Sequence, residues 1–123
     1  MRYLTARKRA EGLGSSHHGT EHHIAMTLSG WALLFIVPVF VFVLARTLGG
    51  GYDEVRATFA NPFVAVLTAL FLFVGMRHFA KGAQMAIEDY ADGAARAALV
   101  MAANAISYLT IAAGFYALIK LAL

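Results

Sequence analysis

The sequence predicts an all-α protein, an integral membrane bundle of three transmembrane helices. First, the 123 residues are 60% hydrophobic with a mean hydropathy of +0.67, which is too apolar for a small soluble core. Second, long apolar runs alternate with polar segments that contain glycine or proline. Third, the cations behind the net charge of +3 flank these runs, which favours a lipid bilayer and argues against a nucleic-acid partner. The absence of cysteine excludes disulfides and thiolate ligands within the chain.

Residues 1–23 form a polar N-terminal segment that we expect to lie in the cytoplasm. The positive-inside rule places it there because it is rich in cations, namely Arg2, Arg7, Lys8 and Arg9. The apolar run that follows, at about 24–45, is longer than the hydrophobic region of a typical signal peptide. We therefore predict a retained first membrane helix, which opens a three-helix membrane domain over residues 24–123.

Two further spans are predicted at about 63–88 and 94–121. Between the first two spans, segment 46–62 contains three consecutive glycines and a proline suited to a helix start, which favours a short loop with an interfacial turn. A connection over 89–93 leads to the third span, whose alanine content suits close helix packing. A cytoplasmic N-terminus then puts the 46–62 loop outside and the 89–93 turn inside.

Four histidines precede the first span, at His17, His18, His22 and His23. The run from His18 to His22 has the H-x-x-E-H order of inverted zinc peptidases. A glycine interrupts that motif, however, and the remaining histidine of the chain lies on another helix within the bilayer, so a third ligand is lacking. We interpret the cluster as neutral imidazoles at the headgroup boundary, with contact to a cofactor or a partner as the alternative.

His78 is an ionisable residue deep in the second span, where such groups are costly and usually functional. Imidazole is a standard axial ligand of haem iron, and Gly82, one turn further along, would leave room for a flat macrocycle. A hydrogen-bonded core histidine is the alternative. Arg77 and Lys81 are nearby cations that can either pair with haem propionates or extend toward the headgroups.

Asp89 and Tyr90 close the same helix at the expected membrane edge. His78 and Asp89 are about 16 Å apart along the axis, which is about half the hydrocarbon thickness, and they share a helix face. The Tyr90 phenol can donate a hydrogen bond to a quinone carbonyl, while Asp89 can orient water or a cation. The alternative is a tyrosine of the aromatic belt beside an acid that ends the helix.

Taken together, His78-x-x-x-Gly82-x-x-x-x-x-x-Asp89-Tyr90 on the second of three spans resembles the small hydrophobic membrane anchor, of the D type, of bacterial succinate dehydrogenase (respiratory complex II). The glycine-containing stretches before the first span, at 12–15 and 19–22, are similar to that family too. The resemblance implies that His78 is an axial ligand of haem b and that Tyr90 hydrogen-bonds ubiquinone.

The sequence departs from this family at one place. Many relatives carry a basic residue near the position of Thr27. Its role toward a propionate or the quinone would then pass to Lys81, to Arg77 or to the partner subunit.

The resemblance further implies a complex in the bacterial inner (cytoplasmic) membrane. The chain would be a non-catalytic anchor subunit that pairs with a second membrane subunit, of the C type, and docks an iron–sulfur subunit and a flavoprotein subunit. A bis-histidine haem needs two axial histidines, so the second must come from that subunit or from a second copy of His78 in a symmetric homodimer. A haem-free structural or assembly adaptor that tethers soluble partners is the competing hypothesis.

Overall fold

A computed structural model describes residues 5–10 and 19–122 and shows an all-helical chain. The helices are α1 (Ala6–Ala10), α2 (Gly19–Thr47), α3 (Tyr52–Ala60), α4 (Pro62–Tyr90) and α5 (Gly93–Ala122). Within this part of the chain, three helices are long and apolar enough to cross a membrane, namely α2, α4 and α5. The predicted fold class is confirmed. His17, His18 and the glycine-containing stretch at 12–15 lie outside the described residues.

The three long helices are longer than a bilayer's hydrocarbon core is thick. A helix of 29 residues, the length of α2 and of α4, spans about 43 Å, whereas the hydrocarbon core is about 30 Å thick. Helix α2 begins at Gly19 and contains His22 and His23, which the sequence pattern assigned to the preceding polar segment. The start of α4 is capped by Asn61, whose side-chain oxygen accepts from the Phe63 amide at 3.0 Å.

The connection between α2 and α4 contains a helix where the sequence pattern favoured a short loop. Helix α3 has nine residues, and Asp53 and Glu54 in its first turn complement the positive end of the helix dipole. Gly49 has a φ of 86°, which lets the chain turn sharply after α2. Helix α3 packs against α2, α4 and α5. The connection from α4 to α5 is shorter than expected, because α4 ends at Tyr90 and α5 starts at Gly93.

Helix α4 is the centre of the structure. It packs antiparallel against α2 and against α5, while α2 and α5 do not approach each other anywhere in the described residues. On the α2 side, the Phe40 and Phe71 rings stack with centroids 4.1 Å apart. The three spans therefore form a single layer with α4 in the middle.

Small residues bring α4 and α5 together. Ala80 on α4 is 1% exposed and Ser107 on α5 is 0% exposed. Further along, Leu72 lies so close to Gly114 that a Cβ at Gly114 would collide with it. Small side chains at this contact permit the close approach that stabilises helix pairs in lipid. By contrast, α2, which is described throughout, buries no apolar side chain.

Candidate functional site

His78 is half-buried on α4 and faces α2. Its Nδ1 atom lies 2.8 Å from the Ser29 hydroxyl oxygen. That hydroxyl also donates to the Met26 carbonyl at 3.0 Å. Gly30 lies beside the ring, because a Cβ added there would be 3.8 Å from His78 Cε1. The imidazole is thus held against the early turns of α2.

The hydrogen bonds of Ser29 accommodate the His78 tautomer that suits metal ligation. A serine hydroxyl has one proton, which Ser29 can donate to the Met26 carbonyl at 3.0 Å or to His78 Nδ1 at 2.8 Å. When the proton is donated to Met26, Ser29 Oγ accepts from His78 Nδ1–H and the ring lone pair lies on Nε2. A metal-ligating imidazole usually has this arrangement, with one nitrogen fixed by an outer acceptor and the other directed to the metal. The contact with Ser29 is therefore compatible with ligation through Nε2.

Gly82 lies one turn beyond His78 on the same side of α4. A Cβ built at Gly82 would be 3.8 Å from Met26 Cε, so the space expected for a flat macrocycle is covered here by the Met26 side chain. Methionine is unbranched and flexible, so it can vacate such a space more easily than a branched side chain. Gly82 and Gly30 together keep α2 and α4 close around the imidazole.

The two cations near His78 have different environments. Arg77 Nη1 donates to the Tyr108 hydroxyl at 2.8 Å, and its guanidinium carbon lies 5.2 Å from the centroid of the Tyr108 ring. Arg77 therefore faces α5, whereas His78 faces α2. Lys81 is half-buried and makes no hydrogen bond or ion pair with any residue in the described ranges. Of the two, only Lys81 lacks a hydrogen bond or ion pair within the described residues.

The end of α4 exposes the acid–tyrosine pair. Tyr90 is 92% exposed, and Asp89 is exposed beside it. Neither side chain has a hydrogen-bond partner among the described residues. The described residues thus do not enclose Tyr90, and a quinone site there would need walls from beyond them.

A polar network at the same end of α4 was not predicted from the sequence. Gln84 donates to Glu88 at 2.8 Å, and Arg96 at the start of α5 lies 3.7 Å from the same carboxylate oxygen. The i, i+4 spacing of Gln84 and Glu88 was a visible signal for the first contact. This network connects the two helices across the short turn.

The histidines of α2 make no metal site in the described part of the chain. The Nε2 atom of His22 is buried without a hydrogen-bond partner there. His23 lines a shallow groove with Thr27 and Trp31 on the outer side of α2. Among residues 5–10 and 19–122, no three histidine or acidic side chains converge. His18, the first residue of the zinc-like motif, lies outside these ranges.

These features define the class of protein. Three long apolar helices carry a histidine fixed by an outer hydroxyl, an arginine bonded to a tyrosine, and an exposed acid–tyrosine pair at one end. A single layer of such helices with polar groups in its apolar part is typical of a multi-pass membrane protein.

Comparison with known proteins identifies the family. Residues 1–113 match the family described as succinate dehydrogenase/fumarate reductase transmembrane subunit. The succinate dehydrogenase hydrophobic membrane anchor subunit of Paracoccus denitrificans is 47% identical over 123 residues, which cover 100% of this chain and 95% of that protein. The chain belongs to this family of transmembrane subunits. No solved structure gives a significant match.

Proposed function

We propose that the chain is the hydrophobic anchor subunit of a bacterial succinate dehydrogenase, that His78 supplies one axial ligand to a haem b, and that Tyr90 and Asp89 contribute to the site of ubiquinone reduction. The contact of His78 Nδ1 with Ser29 Oγ at 2.8 Å carries the proposal. Family membership over residues 1–113 and the 47% identical relative support the assignment to the complex.

The residues around His78 fit a haem iron ligand. Ser29 can accept from Nδ1–H and so leave Nε2 to coordinate. Gly30 leaves room beside the ring, and Gly82 leaves room one turn further along α4, where the Met26 side chain lies. A b-type haem bound there would supply one-electron transfer between the iron–sulfur subunit and the quinone. Lys81, with no partner in the described residues, is the candidate cation for a propionate. Arg77 is the weaker candidate because its guanidinium is bonded to Tyr108 on the α5 side.

Tyr90 is proposed to hold the quinone head. Its phenol can donate to a carbonyl oxygen, and this hydrogen bond strengthens as negative charge develops on that oxygen during reduction. The 92% exposure of Tyr90 supports a site shared with another subunit, because the phenol is free to meet a ligand held from outside the chain. Asp89, the preceding residue, would orient water or a cation near the same carbonyl.

The proposed orientation places the N-terminus and the turn after Tyr90 in the cytoplasm. The start of α2 and the turn after Tyr90 lie at the same end of the layer, because α2 and α4 are antiparallel and α4 ends next to the start of α5. Electrons from a cytoplasmic iron–sulfur subunit would therefore arrive at the end that carries Tyr90. The second membrane subunit, of the C type, would supply the other histidine for the haem and cover the exposed faces.

The test uses the intact complex purified from membranes carrying His78→Ala. We expect loss or alteration of the low-spin b-type spectrum and a reduced ratio of haem to flavin. Thr68→Ala is the matched control, because Thr68 is also a polar residue of α4 but bonds only to the Val64 carbonyl of its own helix, at 2.7 Å. Full haem content with an unchanged reduced-minus-oxidised spectrum in His78→Ala would refute the assignment and favour the haem-free adaptor.

A further inference from the structure

Arg77 carries a charge that the chain fixes within its apolar zone. It lies about 20 Å along the axis from the end of α4 at Tyr90. Long cationic side chains at such positions normally extend toward the headgroups. Here the guanidinium instead donates to the Tyr108 hydroxyl at 2.8 Å and lies over its ring. Tyr108 belongs to the apolar middle of α5, so the charge stays at this depth.

No acid of the described chain balances this charge. Tyr108 is a neutral partner, and Lys81, four residues further, adds a second cation that has no ion-pair partner in the described ranges. The nearest acids along α4 are Glu88 and Asp89, about 16 Å or more away along the axis. Glu88 is already bonded to Gln84 and approached by Arg96. An uncompensated charge at this depth is unfavourable in lipid, so we look for its counter-charge beyond the described residues.

The surface around Arg77 has the pattern of a helix-docking face. Six residues of α4 follow one another at intervals of three or four positions and therefore lie on one side of the helix. They are Val66, Leu70, Phe73, Arg77, Lys81 and Gln84. The three apolar members are between 47% and 59% exposed, and Tyr108, which flanks the stripe, is 55% exposed. We name this surface the Arg77 stripe.

We propose that the Arg77 stripe docks a transmembrane helix of the second membrane subunit, and that an acidic side chain of that helix pairs with Arg77. The proposal rests on the proposed function only in that it requires the second membrane subunit. One Nη of Arg77 bonds to Tyr108, and the remaining N–H groups of the guanidinium can bind a carboxylate in bidentate fashion. Because Tyr108 accepts from Arg77, its own proton is available to the same carboxylate.

Two other anions fit this position less well. Lipid phosphates lie at the membrane surface, beyond the reach of a guanidinium held at the depth of Tyr108. A haem propionate would have to approach from the His78 side, but His78 is directed to Ser29 on α2 while Arg77 is directed to α5. An acidic residue on a neighbouring helix can approach the exposed side of the Arg77–Tyr108 pair directly.

The experiment measures how much second membrane subunit remains with this chain when the whole complex is purified in mild detergent. Arg77→Gln should lower the retained amount about tenfold or more, because the partner acid would be left unpaired in the interface. Arg77→Lys keeps the charge but loses the planar guanidinium that can donate two parallel hydrogen bonds, so we expect the retained amount to fall about threefold. Arg46→Gln is the matched control, because this arginine lies over Phe42 at the opposite end of the layer and should change nothing.

A charge swap identifies the partner group and guards against misfolding. In the Arg77→Glu background, each acidic residue within the spans of the second membrane subunit is changed in turn to lysine, and one such change should restore the retained amount. Three results would overturn the proposal. The first is full retention of the second membrane subunit in Arg77→Gln, and the second is rescue by none of the lysine substitutions. The third is a shifted haem midpoint potential in Arg77→Gln with the subunits still associated, which would indicate that Arg77 pairs with a haem propionate. The haem proposal is tested separately by His78→Ala, because loss of haem with normal retention of the second membrane subunit would support haem ligation without bearing on the Arg77 stripe.

Discussion

Replacing Ser29 with alanine tests whether the hydroxyl controls the proposed haem ligand. The substitution removes the acceptor that lies 2.8 Å from His78 Nδ1. The imidazole then loses the hydroxyl that holds its ring against α2. Leaving the Nδ1–H donor unsatisfied in the helix interface costs about 1–3 kcal/mol. The change does not touch the Nε2 atom that would coordinate iron.

The direction of the effect on the haem potential follows from the hydrogen bond. An acceptor on Nδ1–H makes the imidazole a stronger electron donor through Nε2, which favours the oxidised iron. Ser29→Ala should therefore raise the midpoint potential. If about 1 kcal/mol of the hydrogen-bond energy differs between the two oxidation states, the one-electron midpoint rises by about 40 mV.

The assay is a redox titration of the purified complex, with electron paramagnetic resonance to report the ligand field. Ser29→Thr retains a hydroxyl and should restore a near-normal potential. Thr27→Ala is the matched control, because Thr27 is on the same helix but lines the outer groove with Trp31. An unchanged potential and an unchanged resonance signature in Ser29→Ala, with haem fully retained, would show that Ser29 does not position His78 in the complex.

Two further predictions concern the ends of the layer. Tyr90→Phe should lower ubiquinone reduction by the complex about tenfold to a hundredfold, because one donor to the quinone oxygen is lost. Succinate oxidation measured with an artificial dye should persist. Normal quinone turnover in this variant would show that Tyr90 is only a tyrosine of the interfacial aromatic belt. The second prediction uses single cysteines at two positions. One replaces Gly51, where an added side chain meets nothing within 4 Å, and the other replaces the exposed Asp92. The two cysteines should react with a membrane-impermeant thiol reagent from opposite sides of the membrane. The chain has no cysteine of its own, so each label is unique, and labelling of both positions from one side would refute the proposed topology.

The sequence predicts the three spans well because apolar length is a direct physical requirement of the bilayer. It predicts α3 poorly, since nine residues with two acids and an arginine lack the apolar length that signals a span. The Ser29–His78 contact depends on the vertical register of α2 against α4, which contacts such as the Phe40–Phe71 stack determine. No pattern within one helix encodes that register.

The two cations on α4 show the same limit. Their spacing from His78 indicates that both lie within reach of a haem bound to that residue. The sequence does not say which neighbouring helix each side chain meets, and the structure directs Arg77 to Tyr108 on α5. Only the packing of α5 against α4, set by small residues such as Ala80 and Ser107, reveals this difference.

The arrangement of α2 and α5 on opposite sides of α4 has a consequence for cellular supply. A layer one helix thick buries few side chains, so an unassembled copy leaves Arg77, Lys81 and the Ser29–His78 contact partly exposed to lipid or to other chains. Such a copy is held together by few buried side chains and opens readily, which makes it a good substrate for membrane proteases. We expect surplus copies to be degraded faster than assembled ones. The abundance of the second membrane subunit would then set the abundance of this one after synthesis.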